Sequence, residues 1–291
     1  MASRKTLSAG VQPVVVRDVI AISDTHLGCQ FGLCPPEGFA LDGGGIYLPN
    51  RAQQTTWQWW LEFWDWVTEV TQDRPYTVVL NGDALDGVHH NSNHQWSHNL
   101  ADQQKAAAKV LLPVAEAARK SGGQYYHIRG TEAHVGPSGQ HEEQLAQELG
   151  AVPNEDGQYA RFELFLRSDW ALIHFSHHIG TAGSAAYETS AVARELMAAY
   201  ENAARWGHEP PNVVVRSHRH SRTKVAFPSR SGDIIGEVTP AWQLRTPFAY
   251  RVAGARQATP QIGGLQIHTG DRVVYTFPFV RSLERAHEEL A

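Results

Sequence analysis

The sequence predicts an α/β fold in which two sheets pack face to face with helices outside. Strands and helices alternate through the first half of the chain, and the later part turns strand-rich, the order expected of such layers. In addition, buried β-branched runs end on polar fragments, the pattern of strands delivering side chains to the carboxyl edge of a sheet.

The elements follow in order. Val14 to Ser23 (VVVRDVIAIS) is a buried strand ending at Asp24. Gly28 to Asn50 is rich in Gly and Pro and reads as a long loop, of a length that tends to be functional. Arg51 to Thr71 carries Trp57, Trp60, Phe63, Trp64 and Val67 at helical spacing, with Trp59 and Trp66 widening the stripe, so a helix facing the core is expected. Tyr76 to Leu80 is a second buried strand with Asn81-Gly82-Asp83 at its end. The Ala, Leu, Lys and Gln content from Asn99 to Lys120 predicts a helix stopped by Ser121-Gly122-Gly123. Gln124 to Ile128 is a third strand and Gln140 to Leu149 a short helix. Tyr159 to Leu166 and Trp170 to Phe175 alternate about the turn Arg167-Ser168-Asp169, which predicts a hairpin. Ser184 to Trp206 is an Ala-rich helix closed by Gly207, Asn212 to Val215 is a strand leading into Ser217-His218, and short β-rich pieces run on to Val280.

The chain has 291 residues and no obvious linker, so residues 11–281 are expected to form one domain between flexible termini at 1–10 and 282–291. Hydrophobic residues make up 42% and charged residues 19%, enough apolar side chain for a large core. The formal charge of -5 argues against a broad basic face for non-specific duplex binding, although a local Arg patch or a bound cation could still receive a phosphate. No apolar run reaches the length of a membrane span or a signal-peptide core, so a soluble cytoplasmic protein without a membrane partner is expected. Cys29 and Cys34 share one loop and form no disulfide framework; the C-x4-C pair could bind zinc if two further ligands came from elsewhere, but with no partner pair they read as free thiols. Sixteen histidines against two methionines point instead to nitrogen-ligated metal.

Five polar fragments fall where predicted strands run out: Ser23-Asp24-Thr25-His26, Asn81-Gly82-Asp83, Gly130-Thr131-Glu132-Ala133-His134, a cluster from His174 to His178, and Ser217-His218-Arg219-His220. Singly they are weak, since this composition yields about 0.7 Asp-x-His pairs by chance. Their shared position at strand ends gives them weight. Residues i and i+2 of a strand point the same way, so Asp24 with His26, or His218 with His220, can send two donors into one site. Two divalent cations about 3.5–4 Å apart need a bridging carboxylate and further oxygen or imidazole ligands that leave one position open. Asp83 is the natural bridge.

In this order the fragments resemble the calcineurin-like metallophosphoesterases, whose pattern is D-x-H, G-D-x-x-D, G-N-H-D/E, a lone His and G-H-x-H. The match runs from Asp24 to His220. The resemblance implies a sandwich of two mixed β-sheets flanked by helices, with two divalent metal ions at the strand ends. It implies that Asp24, His26 and His220 bind one metal, that Asp83 is shared, and that His218 and a histidine of the middle cluster bind the other. His177 is the expected ligand, with His174 and His178 as alternates. Asp86 matches the second acidic residue of G-D-x-x-D and would orient neighbouring ligands. The third fragment departs from the pattern: Thr131 stands for the Asn, Glu132 for the His, and either could serve the second metal, while His134 could act on the leaving group. Arg129 could clamp a phosphate or form a plain salt bridge. His89, His90, His94 and His98 lie in a polar segment expected to be solvated, with one or two, such as His89 or His90, facing substrate.

The implied activity is hydrolysis of a phosphoester by a hydroxide bridging the two metals, with His134 and Asp83 as catalytic residues. Mixed carboxylate and imidazole ligands suit manganese, iron or zinc better than calcium, and manganese is the first choice. Losing the histidine beside the Asn position should hurt monoesters with poor leaving groups most, so a phosphodiester in a nucleic acid or nucleotide is expected. The alternatives are a phosphomonoesterase acting on a nucleotide or phosphoprotein, or a metal-binding module with weakened catalysis. The sequence leaves the oligomeric state open.

Overall fold

Side-chain parity in the first strand sets the layers. Strand β1 (Asp18–Ile22) is buried along its whole length; Val19 and Ala21 enter one apolar cluster, Ile20 and Ile22 another. A strand with apolar side chains on both faces must be covered on both. The computed structural model describes residues 15–89, 92–180, 183–230, 232–253 and 259–282. Val14 and both segments expected as flexible termini, apart from Ser282, lie outside the described residues.

After β1 come a small hairpin, β2 (Phe39–Ala40) and β3 (Ile46–Tyr47), then α1 (Arg51–Thr71), β4 (Tyr76–Asn81), α2 (Leu100–Lys120), β5 (Tyr125–Ile128), α3 (Glu132–Val135) and α4 (Gln140–Glu148). Next are β6 (Ala160–Arg161), β7 (Glu163–Ser168), β8 (Ala171–Ser176), α5 (Glu188–Trp206), β9 (Val213–Arg216), β10 (Thr223–Ser229), β11 (Gly232–Val238), α6 (Pro247–Ala253), β12 (Ile262–Gly270) and β13 (Val273–Arg281). They form a six-stranded sheet, β13-β12-β1-β4-β5-β6, and a five-stranded sheet, β10-β11-β9-β8-β7. In the first, β1, β4, β5 and β6 are parallel, β12 is antiparallel to β1 and β13 antiparallel to β12; in the second, β8, β9 and β11 are parallel between antiparallel edges.

Between the sheets, Val19, Ala21 and Val79 meet Ile173, Phe175 and Val215. Outside the first sheet, Ile20, Ile22 and Leu80 pack on Trp60 and Phe63 of α1 and Leu111 of α2. Outside the second, Val192 and Leu196 of α5 cover Val238 and Val214. Two mixed sheets thus lie face to face with helices on both outer faces, the α/β/β/α sandwich that was expected. Among the described residues, no helix is long and apolar enough to cross a membrane.

The aromatic helix is core-facing: Asn50 caps α1 through a capping box with Gln53, and Trp60, Phe63 and Val67 are buried. Three segments differ from their sequence reading. Tyr159 to Leu166 is split, because β6 pairs with β5 in the first sheet and β7 with β8 in the second. Both pieces keep period two, so the crossing between sheets left the alternation intact. Helix α5 begins at Glu188, after a 3-10 turn at Ala185–Tyr187. The stretch from Gly28 to Asn50 is no free loop: its hairpin stacks Phe39 and Tyr47 against Trp96, with ring centroids 5.3 and 5.1 Å apart.

Candidate metal centre

Backbone pairing continues past the strand ends. Asp24 N donates to Gly82 O (2.9 Å) and His26 N to Asp83 O (3.2 Å), so the segments after β1 and β4 stay side by side. A buried hydroxyl chain ties in the other sheet. Ser23 Oγ and Ser217 Oγ each lie 2.7 Å from Thr239 Oγ1, and Asn81 Nδ2 donates to Ser217 Oγ at 2.7 Å. The ends of β1, β4, β9 and β11 therefore meet at one rim.

The ligand pairs do not use the strand pleat, because β1 ends at Ile22 and β9 at Arg216. Asp24, His26, Asp83, His218 and His220 instead adopt left-handed backbone, with φ of 53, 43, 52, 72 and 57°. Such a conformation costs a non-glycine residue about 1–3 kcal/mol and collects at functional sites. The other described non-glycine cases, Gln72, Asp73, Asp169, Asp271 and Arg272, follow α1 or close hairpins. Thus alternate left-handed residues bring Asp24 and His26, and His218 and His220, into one site.

The donors form two neighbouring groups. Donor atoms of Asp24, His26 and His220 lie within 4.8 Å of one another, as do those of Asp83, His177 and His218. In the first, Asp24 Oδ1 is 3.1 Å from His220 Nε2, and the His26 and His220 Nε2 atoms are 3.2 Å apart. In the second, Asp83 Oδ2 is 3.0 Å from His177 Nε2 and 4.0 Å from His218 Nδ1. Asp83 also groups with His26 and His134, which places its carboxylate between the two sets.

A cation-binding role can be tested on the buried polar atoms. Asp24 Oδ1 and His177 Nε2 are buried and make no well-formed hydrogen bond, each facing only another converging donor at 3.1 and 3.0 Å, an arrangement that a cation between the donors would satisfy. His177 Nδ1 donates to Asn81 O at 2.6 Å, which turns Nε2 towards Asp83, where a cation can replace its proton. The residues therefore fit divalent cations. Two glycines make room: a Cβ on Gly82 (φ 90°) would sit 2.3 Å from His177 Nδ1, and one on Gly130 2.1 Å from Asp83 Oδ1.

Burial opposes every charge here, yet the imidazoles His220 and His26 hold the Asp24 carboxyl well below the usual carboxylate range, and His177 and His134 do the same for Asp83. Burial is likewise outweighed at His26, which Asp24, Asp86 and Asp83 push up to about 10, and at His177, which Asp83 and Asp24 push up to about 9. Burial prevails at His134, drawn down to about 4, and lowers His220 as well.

The remaining candidates are placed unequally. Asp86 Oδ1 lies 3.3 Å from His26 Nδ1 and accepts from Gln243 Nε2 (3.1 Å), while Oδ2 accepts from Gln95 Nε2 (2.7 Å). Thr131 donates to Asp83 Oδ1 through its backbone N (2.7 Å) and its hydroxyl (3.3 Å). Glu132 is exposed and belongs to no group of converging donors among the described residues. His134 donates from Nδ1 to Asp86 O (2.6 Å) and holds Nε2 3.9 Å from Asp83 Oδ2. Arg129 pairs with Glu143 at 3.5 Å and covers the ring of Phe162, which is 67% exposed.

Parity separates the middle histidines. Ile173 and Phe175 point into the core between the sheets, and His177 continues that side into the site. His174 falls on the other face, stacked on Phe165 and 3.2 Å from Glu163. His178 is exposed, its ring 5.1 Å from that of His218. His90 lies outside the described residues. His89 Nε2 is 3.6 Å from Asp86 Oδ2, His98 is exposed, and His94, expected in a solvated segment, is buried.

Several residues escaped the sequence reading. Gln95, Gln243 and Thr239 sit in no motif, and Glu142 looked like an ordinary helix residue. Yet Glu142 is fully buried and accepts from Ala84 N (3.2 Å) and Gly130 N (2.7 Å), clamping the segments on either side of Asp83. Asn81 did carry a signal, since it directly precedes Gly82-Asp83.

Beside His177, a cavity of about 460 Å³ is lined by Arg129, Thr131, Glu132, Phe162 and His178. No family model matches the chain, and no curated protein does. Among the solved structures similar to it are the following three. Thermotoga maritima protein TM1076 is 11% identical with a TM-score of 0.35 over 92% of this chain and 100% of that one. Vacuolar protein sorting 29 from Cryptosporidium parvum is 9% identical with a TM-score of 0.35 over 92% and 100%. A double mutant of Vps29 from Entamoeba histolytica is 10% identical with a TM-score of 0.35 over 91% and 99%. Likenesses this distant assign no activity.

Proposed function

We propose that the chain is a phosphoester hydrolase that uses two divalent cations, manganese before iron or zinc, and prefers phosphodiesters of the nucleotide or nucleic-acid class. The carrying observation is the position of Asp83, whose carboxylate stands between the Asp24, His26 and His220 group and the His177 and His218 pair. Asp24, His26 and His220 would hold one cation, His177 and His218 the other, and Asp83 both. Cations there supply Lewis-acid charge that acidifies water and neutralises phosphoryl oxygens.

The protein's own groups divide the remaining work. Asp86 fixes the His26 ring through Nδ1, as an outer carboxylate commonly does for a ligating imidazole. His134 has its Nδ1 proton committed to Asp86 O and is neutral at pH 7, so Nε2 is an acceptor. It can pass a proton on to the leaving oxygen. The exposed Phe162 ring beside the cavity suits stacking by a base, and Arg129 above it suits an anionic ester. With manganese, bis-p-nitrophenyl phosphate should be cleaved faster than p-nitrophenyl phosphate; the reverse ranking would move the assignment to monoesters.

One observation favours a second reading, a metal-binding module with weakened catalysis. The Thr131 hydroxyl is spent on Asp83 and Glu132 faces solvent, so the third fragment offers no donor to the second cation. Tight metal binding without turnover of any phosphoester would select this reading.

A further inference from the structure

We infer that Cys29, Asp86 and His94 form a separate site for one thiophilic divalent cation, zinc by its chemistry, beside the two-cation centre. The backbone builds it. Gln30 N donates to His94 O (2.8 Å) and Trp96 N to Gly28 O (2.8 Å), zipping the segment around Cys29 onto the segment around His94, with Cys29 bridged to Gln95. Asp86 N donates to Leu27 O (3.0 Å), which brings in the third donor.

Donor atoms of Cys29, Asp86 and His94 lie within 4.8 Å of one another, and all three residues are buried. His94 is 4% exposed, and its Nε2 has no hydrogen-bond partner though it lies 3.7 Å from Asp86 Oδ2. Zinc bonds of about 2.0–2.2 Å at tetrahedral angles set nitrogen and oxygen ligands about 3.3–3.6 Å apart, so a small closure suffices. Asp86 Oδ2 accepts from Gln95 Nε2 at 2.7 Å and faces His89 Nε2 at 3.6 Å, so a cation there would compete with His89 for that oxygen. A thiolate, an imidazole and a carboxylate together suit zinc better than manganese or magnesium. Loading releases the thiol proton to solvent. Because Asp86 also faces His26, such a cation would stiffen the neighbouring centre from outside.

Cobalt(II) added to the metal-free chain tests this without any assay of activity. A thiolate-to-cobalt charge-transfer band is expected in the near ultraviolet. It should be lost in Cys29→Ser, with bound cobalt lower by one ion per chain, and retained in Cys34→Ser. His94→Ala should weaken the cobalt affinity read from the same band at least about tenfold. Asp83→Asn should keep the band while losing metal from the neighbouring centre, which separates failure of this site from failure of the two-cation reading. No band in the wild type, a band that survives Cys29→Ser, or a band that vanishes in folded Asp83→Asn would each overturn the proposal; circular dichroism checks folding of every variant.

Discussion

The two halves of the centre are built differently. The Asp24, His26 and His220 half is sealed: Asp24 and His26 are almost wholly buried, the His220 side chain is 17% exposed, and Asp86 supports His26 from behind. The Asp83, His177 and His218 half is open, with the His218 side chain 39% exposed and a cavity beside His177. The sealed half has its geometry set by backbone and neighbouring side chains before any cation arrives, so it should bind first and more tightly. The open half is where substrate can approach, and there Thr131 contributes only hydrogen bonds to Asp83.

Asp83→Asn should break the comparison most severely, because its carboxylate serves both halves. It is expected to reduce metal content in each and to lower kcat/KM by on the order of 10³-fold, measured by elemental analysis and turnover. Retention of both cations would deny Asp83 its shared role.

His134→Ala comes next and probes the group that lies against both Asp83 and His26. Esters with poor leaving groups should slow about 10²-fold while activated nitrophenyl esters change little, since a good leaving group needs no proton. Equal loss on both substrates would assign His134 to binding or structure.

Titration reads the halves through one imidazole each. In the metal-free chain, His26 (about 10) and His177 (about 9) are raised above the ordinary 6.5, so their stabilisation is complete below pH 6.5 and is lost as pH rises through 9 and 10. His134, lowered from 6.5 to about 4, acts oppositely and removes stability as pH falls from 6.5 towards 4. Denaturant midpoints should therefore peak near about pH 6.5 without metal. Metal replaces the His26 and His177 protons, so loading at neutral pH should release protons, and the alkaline loss should be suppressed in the loaded protein. A metal-free midpoint that holds constant from pH 6.5 to 10 would contradict the raised values.

The smallest effect belongs to Thr131→Val. Losing one hydroxyl bond to Asp83 should cost about 1 kcal/mol of stability and weaken the open half's cation more than the other, seen as the larger shift of two manganese titration phases. A shift confined to the tighter phase would reverse the roles given to the halves.

The sequence by itself determined the layers and the rim. Period-two apolar runs, the Trp57 to Val67 stripe and the five polar fragments are local patterns, and local patterns survive in a linear reading. Asp24, His26, Asp83, His218 and His220 were legible for that reason, and the structure brings them together. Tertiary structure alone decided which middle histidine enters the site, because His174, His177 and His178 differ only in which side of the strand they extend. It also decided that Glu132 faces solvent, that Gln95 and Gln243 hold Asp86, and that Cys29 meets His94. Those pairings join segments distant in the chain through side-chain direction and loop pairing, and neither leaves a periodic trace in sequence.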